Sequence, residues 1–467
     1  MDLARDLANK KITLIGLGTR TNVALARFLV GRGARVTISD RKTAAQLQQE
    51  IALLGELPVQ LSLGANRVDD TVTADAVFVT PGASRDIPAV VAAVEKGVPV
   101  SSEIELLFEL CPAPIVGITG SSGKSTTTTL VGEILKASGR RVWVGGNLGF
   151  PLIDRMDDMT PSDLVVLELS SFQLEMMRRS PHVAAILNIT PNHLDRHPSM
   201  EHYAESKRNI VRFQSADDWA ILGYANDITR EYGRTCTARR LYFGVDPVPG
   251  EGAFVEKDAV QLRLDGRVEP VVEVGEILLR GRHNLENVTA AVAITTAAGA
   301  PARAMRAAIA SFRGIEHRQE LVCERDGVRF YNDSIATAPE RTLAALRAFP
   351  EPMVLLAGGR DKHLPLDELA REIKDRVHTL VLFGEGANLL QAAMAKVGTP
   401  PPEIVRCENL AEAVPIAARA ARPGDIVLLS PAFTSYDQFR DFEERGREFK
   451  RLVREICTEP SEVERGV

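Results

Sequence analysis

The sequence predicts an α/β protein built from three domains. Its 467 residues are too many for a single hydrophobic core. Short apolar runs alternate along the chain with segments of helical periodicity, a pattern typical of parallel sheets covered by helices on both faces. A proline-containing break at 111–114 and the start of a third series of runs near residue 315 divide the chain. We therefore expect domains over 1–110, 111–314 and 315–467.

The first domain begins as a dinucleotide-binding βαβ unit does. Strands are expected at ITLI, RVTISD and ADAVFVTPG, with helices over 21–32, 42–54 and 86–96. Gly16 and Gly18 follow the first strand, and Asp40 ends the second, where a ribose-binding acid stands in such units. Thr21 occupies the position of the third glycine. These residues alone leave open whether the loop binds NAD, another phosphate or no ligand.

The second and third domains repeat the alternation. In the second, strands are expected at PIVGIT, DLVVLELS and VAAILNI, and alternating polarity between 240 and 280 predicts a small antiparallel sheet. In the third, strands are expected at PMVLLAGG, HTLVLFGEG and DIVLLSPA, with helices over 338–348, 366–376, 386–397, 409–420 and 437–454.

Composition and charge exclude several classes of protein. The 62 acidic and 56 basic residues give a net charge of -6, and no cluster of lysines and arginines interleaves with aromatic residues, so we expect no nucleic-acid partner. The charged N-terminus lacks the apolar core of a secretory signal, and no apolar run reaches the length of a membrane span. We therefore expect a cytoplasmic protein without membrane insertion. Its five cysteines are scattered and never in CxxC spacing, so we expect reduced thiols rather than disulfides or a zinc site.

The strongest local signal is the glycine-rich stretch GITGSSGKSTTTTL over 117–130, between an apolar strand and a helix. Such a loop directs backbone N–H groups and a helix N-terminus at one point, which suits a triphosphate. Lys124 would neutralise phosphate charge and the Ser125 hydroxyl would face Mg²⁺. The strict Walker spacing places glycine where the chain has Ile118, so a purely structural turn is the alternative. The predicted ATP-binding residues of the loop are Gly117, Thr119, Gly120, Ser121, Ser122, Gly123, Lys124, Ser125 and Thr126.

Acidic and imidazole side chains follow the next two strands. Glu168 lies in a run too apolar to hold a carboxylate without a partner, so we expect a Mg²⁺ ligand; a solvent-facing acid is the alternative. Four side chains crowd into ten positions after the following strand: His193, Asp195, His197 and His202. Such a group first indicates zinc, but the irregular spacing and the prolines favour a turn that places one histidine near the metals of ATP. From composition alone, Lys207 would be a surface lysine.

Seven motifs become informative when they are taken together. In chain order they are GITGSSGKST, LELSSFQLE, NITPNHLDRHP, RHNLEN, EHR, NDSIAT and SPAFTSYDQF. Their residues and their order resemble those of the Mur ligases, and most closely those of the glutamate-adding member of that family. The resemblance covers essentially the whole chain.

The resemblance implies both a fold and a reaction. The expected fold is a Rossmann-like N-terminal domain that binds the UDP substrate, a central P-loop ATPase-like domain with a parallel sheet plus a small antiparallel sheet, and a C-terminal Rossmann-like α/β domain. The implied activity is ATP-dependent addition of D-glutamate to UDP-N-acetylmuramoyl-L-alanine through an acyl phosphate, in peptidoglycan precursor synthesis. The enzyme would be a monomer whose domains close to exclude water.

The resemblance also implies roles for individual residues. The ligands of two Mg²⁺ ions would be Ser125, Glu168, His193 and Lys207. The last would be carbamylated, because a protonated lysine cannot ligate a metal whereas its CO₂ adduct is a carboxylate. The catalytic residues would be Lys124, His193 and Lys207. Further contacts to ATP are implied for Asn284, Asn287, Arg318 and Asp333, with helix capping as the alternative for the two asparagines.

Substrate contacts are implied in the same way. The UDP substrate would contact Thr19, Arg20, Asp40, Arg41, Thr80, Gly82 and Asn147. Glutamate needs cationic and hydroxyl partners, and its contacts would be Thr337, Lys362, Ser435, Tyr436 and Phe442. Two positions depart from the family pattern: Ile335 replaces the lysine that often stands in NDSKAT, and Tyr436 replaces the leucine after SPAxxS. Both lie near the incoming amino acid, so L-glutamate stays an alternative to D-glutamate.

Other functions account for fewer of the residues. A folylpolyglutamate synthase is disfavoured by the N-terminal α/β domain, and a Mur ligase that adds diaminopimelate by the absence of DNPR; a ligase adding alanine belongs to the same group of alternatives. A nicotinamide oxidoreductase would use the first loop and Asp40 but leaves the GKS loop and the acids and histidines between 160 and 210 without a role. A non-catalytic nucleotide-dependent scaffold would make the lysine, the serine and the candidate metal ligands a coincidence.

Overall fold

The structure, a computed structural model, describes residues 7–18, 21–81, 83, 86–148, 151–193, 196–362, 364–398 and 402–458. The chain forms two compact units, Met1–Phe312 and Arg313–Val467. The first unit contains two β-sheets and the second contains one. The expected α/β fold with three sheet-based domains is therefore confirmed, while the domain ends at 110 and 314 stay predictions.

The N-terminal sheet is parallel and has five strands. They are β1 Lys11–Ile15, β2 Arg35–Asp40, β3 Val59–Leu63, β4 Ala76–Val79 and β5 Val100–Ser101. The helices are α1 Thr21–Gly31, α2 Gln48–Leu54, α3 Val68–Val72, α4 Pro88–Glu95 and α5 Glu103–Leu110. The strand order β3-β2-β1-β4-β5 reverses between β1 and β4. Sheets of this kind bind ligands at the carboxyl ends of the strands on either side of such a reversal.

The central sheet has nine strands. They are β6 Ile115–Thr119, β7 Val142–Gly146, β8 Leu164–Glu168, β9 Val183–Ile186, β10 Trp219–Gly223, β11 Arg239–Phe243, β12 Gly252–Glu256, β13 Ala259–Leu264 and β14 Arg267–Glu273. The helices are α6 Lys124–Ala137, α7 Ser171–Leu174, α8 Met200–Arg212, α9 Asp227–Thr235, α10 Arg282–Ala297 and α11 Ala302–Ser311. The strand order is β14-β13-β12-β11-β10-β9-β6-β8-β7. The predicted antiparallel strands are present, but they continue the parallel sheet because β12 pairs with β11.

The C-terminal sheet has six strands in the order β15-β16-β20-β17-β18-β19. They are β15 Glu320–Arg325, β16 Val328–Asn332, β17 Met353–Gly358, β18 Val377–Phe383, β19 Glu403–Arg406 and β20 Ile426–Leu429. The helices are α12 Pro339–Ala348, α13 Asp367–Arg376, α14 Ala387–Met394, α15 Leu410–Ala420 and α16 Phe442–Thr458. The last helix begins five residues later than predicted, because Asp441 accepts a hydrogen bond from the backbone N–H of Glu444 and caps it there.

Both faces of the central sheet are covered, as its apolar runs predict. Leu164 and Val166 of β8 pack into one apolar cluster and Val165 and Leu167 into another, because successive side chains of a strand point to opposite faces. Every residue of β8 is buried, including the terminal Glu168. None of the helices in the described part of the chain is long and apolar enough to cross a membrane.

The cysteines differ from the expectation at one pair. Cys323 in β15 and Cys457 near the end of α16 form a disulfide with 6.9 Å between their Cα atoms. The prediction that all cysteines are reduced is therefore wrong for these two. Spacing rules miss the pair because its members are 134 residues apart and meet only where α16 packs against β15. Cys111, Cys236 and Cys407 are free thiols.

Replacing Cys457 with serine is expected to lower the thermal stability of the unit Arg313–Val467. A crosslink across so long a loop restricts the unfolded chain and contributes up to about 5 kcal/mol on the loop-entropy view. Calorimetry of the oxidised full chain measures the change in melting temperature. Cys407→Ser, which removes a thiol that is free in the same unit, is the control. Equal melting temperatures for the two variants would contradict a stabilising disulfide.

Candidate active site

The register of four parallel strands brings the candidate site together. Strand β6 lies between β8 and β9, and β7 pairs with the outer side of β8. Ile118 is therefore opposite Glu168, Thr119 is opposite Ile186, and Gly146 is also opposite Glu168. The segments that follow these strands leave the sheet at one edge, which is where parallel α/β sheets bind their ligands.

The phosphate-loop candidate has the geometry that its sequence predicts. Gly117 and Thr119 lie in β6, and Gly123 adopts a left-handed conformation, with φ of +79°, directly before α6 begins at Lys124. Nζ of Lys124 donates to the carbonyl oxygens of Gly120, at 3.0 Å, and Ser121, at 3.4 Å. The backbone N–H of Ser122 donates to Oδ1 of Asn188, which follows β9, at 2.9 Å. Ser125 and Thr126 lie in the first turn of the helix and are partly buried.

The two asparagines of RHNLEN lie beside this loop. Oδ1 of Asn287 accepts a hydrogen bond from Oγ1 of Thr127 at 3.4 Å, and its Nδ2 donates to Oδ1 of Asn284 at 3.1 Å. Asn284 in turn donates to the carbonyl oxygen of Arg280 at 2.8 Å. The N-cap of α10 is Gly281, which makes no side-chain capping bond. The capping alternative is therefore wrong: Asn287 contacts α6, and Asn284 contacts Asn287.

Glu168 ends β8, and within the described ranges one of its two carboxylate oxygens is hydrogen bonded. Oε1 accepts from Nδ2 of Asn147 at 2.7 Å, and the backbone N–H of Asn147 donates to the carbonyl oxygen of Glu168 at 2.8 Å. Oε2 is buried and has no hydrogen-bond partner within the described part of the chain. A buried carboxylate oxygen without a donor is costly in free energy unless a cation binds it. The solvent-facing alternative for Glu168, which is 2% exposed, is wrong.

Lys207 on α8 is buried, and its amine points at the strand end that carries the phosphate loop. Nζ lies 3.1 Å from Oγ1 of Thr119 and 3.0 Å from the carbonyl oxygen of Gly120. Burial lowers the pKa of the amine well below its ordinary value; the charge of Lys124 lowers the pKa further, while Glu168 raises it. The reading of Lys207 as a surface lysine is therefore wrong.

The histidines after β9 differ in burial: His197 is buried, whereas His193 and His202 are exposed. His193 is exposed, with a left-handed φ of +55°, and its ring lies 5.4 Å from Phe172 and 6.5 Å from Tyr203 between centroids. His197 and His202 approach each other through their Nδ1 atoms at 3.0 Å. Asp195 lies outside the described residues. The imidazoles of His197 and His202 thus have a partner in each other, and the Tyr203 ring lies beside both His193 and His197.

The first loop of the chain is shaped by Asp40. Its two carboxylate oxygens accept hydrogen bonds from the backbone N–H groups of Leu17, at 2.7 Å, and Lys42, at 2.8 Å. A Cβ added to Gly16 would lie 3.1 Å from Oγ1 of Thr80, so Thr80 borders the same loop. Arg41 is exposed. The predicted contacts Thr19, Arg20 and Gly82 lie outside the described residues.

In the second unit, the segment after β16 contains a buried acid. Asp333 accepts hydrogen bonds from Oγ of Ser430, at 2.8 Å, and from the backbone N–H of Gln319, at 3.2 Å. Burial raises the pKa of this carboxyl to about 7, although the two hydrogen bonds and the charge of Arg318 lower it. Arg318 and Asp333, which the resemblance assigns to ATP, are thus near each other.

The predicted glutamate contacts lie on segments that follow three neighbouring strands of the same sheet, β16, β17 and β20. Nζ of Lys362 lies 3.4 Å from Oγ1 of Thr337. Ser435 is 2% exposed and Tyr436 is 62% exposed. The carbonyl oxygen of Phe442 accepts a hydrogen bond from Oγ of Ser334 at 2.7 Å. The structure therefore brings Thr337 and Lys362 into contact and leaves the Tyr436 side chain largely in solvent.

One buried arginine, which sequence reasoning misses, connects these segments. Arg445 on α16 is fully buried. Its guanidinium donates to Oγ and the carbonyl oxygen of Ser334, at 3.0 and 2.9 Å, and to the carbonyl oxygens of Phe433, at 3.2 Å, and Gly358, at 3.4 Å. No sequence signal separates this arginine from the other charged residues of FEERGREFKR. Arg445 therefore anchors the three segments that follow β16, β17 and β20.

The central sheet belongs to the phosphate-loop class of α/β proteins. Strand β6 leads to a loop that ends at the left-handed Gly123, and helix α6 begins directly after it at Lys124. Three family models match the chain in order: "Mur ligase MurD-like, N-terminal domain" over 10–102, "Mur ligase middle domain" over 118–295 and "Mur ligase, glutamate ligase domain" over 317–433. The chain belongs to the Mur ligase family, as the motifs predict.

Relatives named UDP-N-acetylmuramoylalanine--D-glutamate ligase align with almost the whole chain. The protein of Symbiobacterium thermophilum is 46% identical over 446 residues, which cover 95% of this chain and 98% of its own. That of Acetivibrio thermocellus is 42% identical over 462 residues, which cover 97% and 98% of the two chains. Among solved structures, the UDP-N-acetylmuramate-alanine ligase MurC of Thermotoga maritima shares the fold, with a TM-score of 0.56 at 19% identity, covering 96% of this chain and 100% of its own.

Gly123→Ala is expected to weaken nucleotide binding at least about tenfold. An added Cβ would lie 2.3 Å from Oδ1 of Asn287, and the positive φ disfavours any L side chain there. Gly139→Ala is the matched control, since Gly139 also has a positive φ at the other end of the same helix but an added Cβ meets no atom of a described residue within 4 Å. Calorimetric titration with an ATP analogue measures both. Equal losses of affinity would show that backbone strain, rather than contact with Asn287, is responsible.

Proposed function

We propose that this chain is an ATP-dependent ligase that joins D-glutamate to UDP-N-acetylmuramoyl-L-alanine, yielding ADP and phosphate in peptidoglycan precursor synthesis. The observation that carries the proposal is that three groups lie around one phosphate loop: Lys124, the buried amine of Lys207, and the Glu168 oxygen that has no hydrogen-bond partner among the described residues. The names of relatives that are 46% and 42% identical support the choice of reaction.

The reaction forms an amide from a carboxylate, which an amine does not attack readily. In the proposed sequence the substrate carboxylate takes the γ-phosphoryl group of ATP and releases ADP. The glutamate amine then attacks the acyl phosphate, loses a proton and displaces phosphate. Lys124 holds phosphate charge, and the backbone N–H groups of 120–124 orient the phosphates. Asn284 and Asn287, beside the loop, would contact the nucleotide, as would Arg318 and Asp333.

The residues of the central site fit a divalent cation of the Mg²⁺ type. Glu168 offers a buried oxygen with no hydrogen-bond partner among the described residues, and Ser125 and His193 would add a hydroxyl and an imidazole. Lys207 would join them as a carbamate: its amine attacks CO₂ and loses a proton, and its low pKa supplies the neutral amine that this step needs. Two bound Mg²⁺ ions would supply positive charge to the phosphoryl oxygens.

We further propose that the substrates divide between the sheets. The N-terminal sheet would hold the UDP group at the loop bordered by Asp40 and Thr80, with Arg41 at its edge. Thr19, Arg20 and Gly82, which lie outside the described residues, are proposed as further contacts. Asn147, hydrogen bonded to Glu168, would contact the muramoyl part. The second unit would hold glutamate through Thr337, Lys362, Ser435, Tyr436 and Phe442. The protein would act as a cytoplasmic monomer.

The stereochemistry of glutamate is the first test of the function. Phosphate release from ATP in the presence of UDP-N-acetylmuramoyl-L-alanine is expected with D-glutamate and at least about tenfold slower with L-glutamate. Ile335 and Tyr436 depart from the family pattern near the amino acid, which is the reason to compare the isomers. Release with L-glutamate alone would assign the chain to the ligases that add the L isomer. No release with either isomer would refute the ligase proposal.

Lys207→Ala is expected to lower ligase activity at least about 100-fold, because a metal ligand and its charge are lost. Short-chain carboxylic acids should restore part of that activity by occupying the place of the carbamate. Lys136→Ala, which removes an exposed lysine paired with Glu133 on α6, should keep full activity. In the protein with its original sequence, ¹³C-labelled bicarbonate should give a carbamate NMR signal that Lys207→Ala lacks. Full activity of Lys207→Ala would refute the proposed metal role.

A further inference from the structure

The turn between β9 and α8 contains a buried imidazole to which the proposed function gives no role. His197 is 3% exposed, whereas its neighbours Arg196 and Pro198 are exposed. Its ring stacks on that of Phe172, with 4.9 Å between centroids and 6° between planes. Tyr203 meets the same ring edge-on at 5.3 Å. A polar ring is stable in such surroundings only when its nitrogens are hydrogen bonded.

Both nitrogens of His197 have partners, and these partners form a chain of side chains. Nε2 lies 2.9 Å from Oγ of Ser171, and Nδ1 lies 3.0 Å from Nδ1 of His202. Nε2 of His202 lies 3.8 Å from Oε1 of Glu175. Only one proton fits between the two Nδ1 atoms, and the carboxylate favours a proton on Nε2 of His202. With both rings neutral, Oγ of Ser171 then donates to Nε2 of His197, and Nδ1 of His197 donates to Nδ1 of His202.

His197 also closes the turn that carries His193. The backbone N–H groups of Arg196 and His197 donate to the carbonyl oxygen of His193, at 3.0 and 2.9 Å. His193 itself adopts a left-handed backbone conformation, which a histidine keeps only where its surroundings fix it. On the other side, Ser171 opens α7 three residues after Glu168. The imidazole of His197 thus ties the turn of one candidate metal ligand to the segment that follows another.

Tyr203 extends this connection to the phosphate loop. Its hydroxyl lies 2.8 Å from Oγ of Ser121, which also donates to the carbonyl oxygen of Thr190 at 2.9 Å. Nζ of Lys207 lies 4.9 Å from the centroid of the Tyr203 ring. The ring that packs edge-on against His197 is therefore in contact with both the loop and the buried lysine.

We propose that His197 is a positioning residue: its two hydrogen bonds and its ring contacts hold the turn that carries His193 against the phosphate loop. In this role it touches no reacting atom. The consequence for catalysis rests on the proposed function, because that function gives His193 its task as a metal ligand. The consequence for the rigidity of the turn does not depend on the reaction.

The first experiment measures rigidity in the protein without substrates. His197→Phe keeps a ring of similar size but removes both hydrogen bonds. Hydrogen–deuterium exchange is expected to become about tenfold faster at the amides of Arg196 and His197 and to stay unchanged in β6 and β8. His182→Phe is the control, since the His182 side chain is half-exposed and its Nδ1 lies 2.9 Å from Oδ1 of Asp218, and both residues lie outside the turn between β9 and α8. It should leave exchange in the turn unchanged.

The second experiment separates turnover from binding. In the ligase assay His197→Phe is expected to lower kcat about 10- to 100-fold and to change each KM less than about threefold, as is usual when the support of a metal ligand is removed. Ser171→Ala removes one of the two hydrogen bonds of the His197 ring and should lower kcat less than His197→Phe does. In the His197→Phe background it should have little further effect, because the bonds act as one unit. His182→Phe should keep the kcat of the unmodified protein.

The outcomes distinguish this proposal from the proposed function. Unchanged exchange in His197→Phe, or an unchanged kcat in both His197→Phe and Ser171→Ala, would overturn the positioning role. Faster exchange throughout the central sheet with a lower melting temperature would overturn it too, because His197 would then be a general packing residue. If the unmodified protein lacks ligase activity, the proposed function fails, and the exchange results alone decide the positioning role.

Discussion

The buried amine of Lys207 is the constraint on which the central site depends. It is held by Oγ1 of Thr119 and the carbonyl oxygen of Gly120, so it fixes the strand end from which the phosphate loop departs. Removing an ammonium from water costs free energy, and the neighbouring charge of Lys124 increases that cost. The site therefore holds an amine that loses its proton far more easily than a lysine on the surface does.

The register of the strands determines which groups lie near the amine of Lys207. Glu168, the phosphate loop and Asn188 follow strands that are adjacent in space although they are distant in sequence. A shift of β8 by one residue would turn Glu168 to the opposite face of the sheet, because side chains alternate along a strand. The apolar residues on both faces of β8 oppose such a shift, since each would have to leave its own cluster. The packing that buries the two faces of β8 therefore also fixes the position of the Glu168 carboxylate.

Much of this architecture can be predicted from the sequence, for reasons that particular residues illustrate. The run before Gly120 and the lysine after Gly123 determine a strand, a loop and a helix locally, so no distant contact is needed to recognise them. Lys207, Arg445 and the pair Cys323–Cys457 are different, because burial or pairing there comes from segments far away in the chain. Charge and spacing do not encode such contacts. Only the resemblance to a family brought Lys207 to attention, and nothing did so for Arg445.

The anchoring of three segments by Arg445 has a consequence for how substrate preference can change. The guanidinium of Arg445 donates hydrogen bonds to backbone carbonyl oxygens of all three segments, whereas the side chain of Tyr436 on one of them is mostly in solvent. Ile335 and Tyr436, the two positions that differ from the family pattern, are not among the groups that bond the guanidinium. Substitutions at these two positions therefore leave the hydrogen bonds of the Arg445 guanidinium in place. For the proposed ligase, the second unit thus separates a hydrogen-bonded frame from the solvent-facing side chain of Tyr436, so that a single exchange there would change a proposed glutamate contact without removing the frame.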